Sequence, residues 1–147
     1  MNKNIKEIDY ILKNLIKNTH INQVVIVDQN GLPIASLNKS LNKLNTEMEN
    51  KISALTASVF LLSEKTSNIF NQGIMEQMII KNRLGKTIIT NINQQSLIIL
   101  VLEKNATSES IILLKLKNAI KELKKLDILN QTIEDNKDMD FFIPNID

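Results

Sequence analysis

Few residues in this sequence are of types that do chemistry, and spacing decides what each can do. His20 is the only histidine, and the chain has no cysteine. An imidazole with no second donor nearby makes neither a metal site nor a catalytic pair; a place at a helix C-terminus, where the dipole favours a cation, accounts for it better. Asp28, Asn30 and Gly31 open like a calcium loop but lack the further oxygen ligands, so they read as a turn. Glu134-Asp135 and Asp138-x-Asp140 lack the glycine and the closing glutamate as well. Arg83, the sole arginine, could stabilise charge on a phosphoryl group in trans; a solvated hairpin-turn residue is the plainer reading. With 3 glycines in the chain, hardly any phosphate-cradling loop or dinucleotide fingerprint could be built. No catalytic residue, cofactor or metal ligand is therefore expected, and the chain is read as a non-enzyme.

Composition points the same way. At 147 residues the chain is long enough for one real core, and with 43% hydrophobic but 3% aromatic residues that core must be aliphatic. No apolar run approaches the roughly 18 residues of a membrane span, and MNKNIKEIDY starts an amphipathic helix rather than a signal peptide. The cytoplasm is the expected compartment, without membrane insertion. Net charge is +2, with acidic and basic residues interspersed and no dense basic stripe, which argues against nucleic acid.

The elements follow from periodicity. Residues 4–18 carry Ile5, Ile8, Leu12 and Leu15 on one helical face. Ile21–Asp28 and Ser96–Glu103 are apolar on both faces and belong in the middle of a sheet. Residues 32–37 hold Pro33, which lacks an amide hydrogen and so demands an edge. Residues 74–81 and 86–92 form a hairpin, and Thr107 or Ser108 caps a last helix buried through Ile112, Leu116, Ala119, Leu123 and Leu126.

Between the hairpins lies the longest element, residues 46–73. Thr46-x-x-Glu49 has the form of a capping box, and Gly73 suits a left-handed terminus. Met48, Ile52, Leu55, Val59, Leu62 and Ile69 make a stripe expected to face the chain's own sheet. Ala54, Ala57, Ser58 and Leu61 make a second face of small or apolar residues, expected to meet a partner. The order α-β-β-α-β-β-β-α predicts an α/β (α+β) fold. Its five-stranded antiparallel sheet has the middle helix on one face and the terminal helices on the other.

That order, with VDQNGLPIAS spanning the first turn and GIMEQMIIKNRLGKTIIT spanning the third and fourth strands, resembles the roadblock/dynein light-chain domain family, MglB-like, of archaeal or bacterial type. The matching positions are Asp28, Gly31, Ile34, Ala35 and Ser36, then Gly73, Met75, Glu76, Ile79, Ile80 and Gly85. The resemblance implies a homodimer, or a heterodimer with another roadblock protein, in which middle helices pack together and third strands pair across a two-fold axis. Ala54, Ala57, Ser58, Leu61, Met75, Gln77 and Ile79 are then the dimer-interface residues. It also implies a scaffold that binds, and can regulate, a Ras-like small GTPase without chemistry of its own. The alternatives are a motor or vesicle adaptor, a longin/profilin-like scaffold with no GTPase, and, least favoured, a cryptic hydrolase or a small-ligand sensor of the PAS or GAF sort.

The domain is expected over residues 1–130. Residues 131–147 read as an acidic, flexible tail of net charge −4 that ends in Phe141-Phe142-Ile143-Pro144. Such a tail can act as a solubiliser, fold back on a lysine-bearing face of the terminal helices, or reach a partner.

Overall fold

A strand that is apolar on both faces must be covered on both, and two such strands lie side by side at the centre of this molecule. The computed structural model describes residues 3–94, 96–104 and 107–126. Its elements are α1 (Lys3–Ile16), β1 (Ile21–Asp28), β2 (Pro33–Asn38), α2 (Thr46–Phe70), β3 (Gln77–Asn82), β4 (Gly85–Asn91), β5 (Ser96–Glu103) and α3 (Glu109–Leu123). The strands form one antiparallel sheet in the order β2-β1-β5-β4-β3. β1 and β5 are thus central, and Pro33 sits on an edge strand where its missing donor costs no ladder bond. The predicted α+β order stands.

One face of the sheet, through Val24, Ile26, Ile88 and Leu100, packs on Leu12 and Leu15 of α1 and on Ile112, Leu116 and Leu123 of α3. The five positions expected to bury the last helix, Ile112 to Leu126, are all buried. The other face, through Val25, Val27, Ile89, Leu97 and Ile99, packs on Phe60 of α2. α1 ends at Ile16, two residues short of the expectation, and Asn18 takes a left-handed φ of 60°. His20 therefore lies beyond the helix end.

α2 differs from the sequence expectation in three ways. Its N-cap is Asn45, whose side chain accepts from the Met48 amide at 2.8 Å, so Thr46 already lies inside the helix and no capping box forms. Its C-terminus is set by Asn71 at φ 54°, and Gly73 at φ 83° belongs to the loop beyond. The third difference is the largest. The buried face against the sheet is Glu49, Ser53, Thr56, Phe60 and Ser63, and of the Met48–Ile69 stripe only Ile52 and Val59 touch the sheet core. Three hydroxyls make this possible by donating to carbonyls of their own helix: Ser53 to Glu49, Thr56 to Ile52 and Ser63 to Phe60, at 2.7 to 2.8 Å. Satisfied internally, they bury like small apolar groups.

Candidate interaction surface

With Ser, Thr and Glu facing inward beside Phe60, most of the other apolar side chains of α2 are left outside. Ile52 and Val59 are half-buried at the edge of the second core, while Leu55 is 63% and Leu62 61% exposed. Of fifteen large apolar residues exposed among those described, nine fall between Met48 and Leu84, a quarter of the chain. Concentration of that kind marks an interaction surface, where scattered single residues would mean nothing.

α2 packs mainly on β1 and β2, and β3 lies at the opposite edge of the same sheet. β3 pairs with β4 alone, in register Ile79 with Ile88, and no described strand covers its other side. Met78 packs on the α2 side of the sheet and Ile79 on the α1/α3 side, so the strand contributes to both cores while its edge faces outward. An edge this poor in charge invites another strand. The residues predicted to form the interface divide here. Ala54, Ser58, Leu61 and Gln77 are exposed, and Met75 and Ile79 are half-buried. Gln77 donates its side-chain amide to the Thr90 hydroxyl at 3.1 Å. Ala57 is turned toward the β1–β2 turn, where a Cβ at Gly31 would lie 3.1 Å from its own. The apolar neighbours Leu55 and Leu62, assigned from the sequence to the interior, stand exposed beside them. The signal that could have found them is that α2 has more apolar positions than one face can bury.

The polar residues with chemical potential are all held by structural bonds or sit in turns. The Asp28 carboxylate accepts from the amides of Asn30 and Leu32, both at 2.9 Å, which makes it the organiser of the turn. His20 meets the Thr107 hydroxyl through Nδ1 at 3.1 Å and through its backbone amide at 3.2 Å; Ser108, not Thr107, caps α3. Arg83 is exposed in the two-residue turn between β3 and β4. Glu109 lies 3.0 Å from Lys86, and that hydrogen bond and charge hold its carboxyl below the usual carboxylate range. Lys39 does the same to Glu103 at 3.3 Å, helped by a hydrogen bond from Asn22. Among the described residues no cluster of carboxylates and histidines could hold a metal ion, and no helix is long and apolar enough to cross a membrane. Expectations for residues 131–147, and for the tail acids in particular, lie outside the described residues.

The arrangement has known counterparts. Myxococcus xanthus MglB superposes with a TM-score of 0.72 at 19% identity, covering 81% of this chain and 93% of its own. The gliding protein MglB of Thermus thermophilus gives 0.75 at 12% identity, covering 85% and 91%. A Roadblock/LC7 domain from Streptomyces avermitilis gives 0.70 at 13% identity, covering 80% and 94%. At such identities these likenesses show the fold. No curated protein matches by sequence. The family model of the Roadblock/LC7 domain, however, matches residues 7–103, from within α1 through the last residue of β5. With two thirds of the chain matched and the whole sheet in place, the chain belongs to the Roadblock/LC7 domain family.

Proposed function

We propose that this chain is a dimeric scaffold that binds and regulates a Ras-like small GTPase. The observation that carries the reading is the exposed apolar stripe of α2 together with the open edge of β3, on a chain of the Roadblock/LC7 family. A two-fold interface would pair β3 with its copy and bring the two α2 stripes together, so that one contact removes the open edge and covers the apolar side chains. Leu55 and Leu62 join Ala54, Ser58 and Leu61 in that interface, with Met75, Gln77 and Ile79 on the strand. The partner is the same chain or another roadblock protein.

The chain itself carries out no reaction in this reading. Its part is to present a rigid ten-stranded platform to the GTPase and favour one nucleotide state by binding it more tightly. The experiment is binding of purified protein to Ras-like GTPases of the same genome, loaded with GDP or a GTP analogue, with light scattering for stoichiometry. A dimer that binds one nucleotide state supports the reading. A dimer that binds none of them removes the GTPase and favours the motor or vesicle adaptor.

A further inference from the structure

α1 and α3 lie beside each other on the sheet face opposite α2, and between them runs a groove of about 810 Å³. Its apolar surface comes from Tyr10, Ile11 and Leu15 on one side and Ala119 and Leu126 on the other. Tyr10 is 67% exposed at its margin, an aromatic ring in water in a chain that has few of them. Lys6, Lys115 and Lys125 stand around the opening, with Glu7 and Glu122 between them. Three lysines thus meet two glutamates at this groove, while Lys117, Lys121 and Lys124 of α3 line a second groove with Gln77 and Thr90.

The remaining chain has the opposite character. Residues 127–147 hold six acidic residues against Lys137 alone, and they carry Phe141, Phe142 and Ile143 as their only aromatic-rich stretch. They leave the fold at Leu126, which is itself a wall of the groove. The fifteen residues from Leu126 to Phe141 can span up to about 50 Å, whereas α1 is only about 21 Å long. The segment can therefore turn back and lie along the groove it starts from.

We infer that residues 127–147 of this chain occupy the α1/α3 groove. Phe141 and Phe142 cover Tyr10, Ile11 and Ala119, and the acidic residues lie against Lys6, Lys115 and Lys125. Two observations place this segment here and not on the exposed stripe of α2: it begins at the groove, and its acidic charge complements a rim of three lysines and two glutamates, whereas α2 carries three glutamates and two lysines. The contact is within one chain and does not depend on a GTPase. Covering this face would leave α2 and the β3 edge as the accessible apolar surface.

The chain suits a direct test, having one tyrosine, no tryptophan and no cysteine. Tyr10 fluorescence is then a reporter placed at the groove. In the full chain, acrylamide is expected to quench Tyr10 weakly, and F141S/F142S to raise quenching toward that of free tyrosine. A nitroxide on Asp140→Cys is expected to abolish the resonances of Ala119 and Tyr10, and the double serine variant to restore them. Equal quenching of both proteins overturns the inference, as does broadening centred on Leu55 and Leu62 or on Lys117 and Lys121. Broadening seen only when labelled and unlabelled chains are mixed assigns the segment to a neighbouring copy and overturns the intrachain contact.

Discussion

The hydroxyl of Ser36 on β2 donates to Glu49 Oε2 on α2 at 2.5 Å, and both residues are buried. The same hydroxyl oxygen accepts from the Leu44 amide at 3.2 Å, so one serine joins edge strand, loop and helix start. Ser36→Ala leaves an amide and a buried carboxylate short of a partner. Loss of about 1–3 kcal/mol in urea unfolding is expected, more than for a surface serine. Ser36→Thr keeps the donor and is expected to retain more stability than alanine; equal losses for the two would assign the effect to packing.

Gly85 opens β4 opposite Glu103 of β5. A Cβ there would lie 2.3 Å from the Leu102 carbonyl oxygen, a backbone atom that cannot step aside. Gly85→Ala is expected to destabilise by about 1–3 kcal/mol or more through forced separation of the strands. Gly73 also has a special place, with a positive φ, yet nothing lies within 4 Å of its added Cβ. Gly73→Ala is expected to cost less, about 1–2 kcal/mol from the left-handed backbone alone. Thermal melts of the two variants compare them.

Leu55 and Leu62 are expected to matter to association and not to the fold of one subunit. Each is more than half exposed and outside the inward face of α2. L55K/L62K is predicted to turn a dimer into a monomer in sedimentation velocity, with the far-ultraviolet circular dichroism of folded chain retained. Lys6→Glu, on the opposite layer, is the matched control and is expected to leave the dimer intact. A dimer that survives the double lysine variant would remove α2 from the proposed interface.

The Lys86–Glu109 pair gives a pH dependence with a definite sign. The Glu109 carboxyl titrates below its ordinary value of 4.5, chiefly through the hydrogen bond and then the charge of Lys86. A group whose folded pKa is depressed contributes stability above its unfolded pKa. That contribution is lost as pH falls from about 4.5 through the lower folded value. Lys86→Ala is expected to raise the Glu109 midpoint in an NMR titration and to flatten the acid limb of stability. The pair is about one-third exposed, so raised salt is expected to shrink the difference.

The sheet and its two terminal helices are legible in the sequence because their chemistry is unambiguous. β1 and β5 have no polar face to turn outward, Pro33 excludes β2 from the interior, and Ile112, Leu116 and Leu123 repeat at helical steps. Periodicity misleads for α2 because that helix has two apolar flanks and a polar stripe, and the usual rule sends the polar stripe to water. Ser53, Thr56 and Ser63 escape that rule by bonding to carbonyls three or four residues back, which sequence periodicity does not register. Asn45 displaces Thr46 as cap for a local reason: its side chain reaches the Met48 amide from a residue still in extended backbone. The same periodicity assigns Leu55 and Leu62 to the interior, which is why neither is among the residues expected at the interface, although both are exposed.

The inverted α2 has a thermodynamic consequence. A helix that keeps short hydroxyl residues for its own sheet and reserves leucine for the outside makes part of its hydrophobic stabilisation available only in company. Under the proposed pairing, the unfolding midpoint rises with protein concentration, because mass action couples folding to association. The cellular level of this chain would then set how much of it is folded at all. A shortfall would be cleared as unfolded subunits rather than persist as half-platforms.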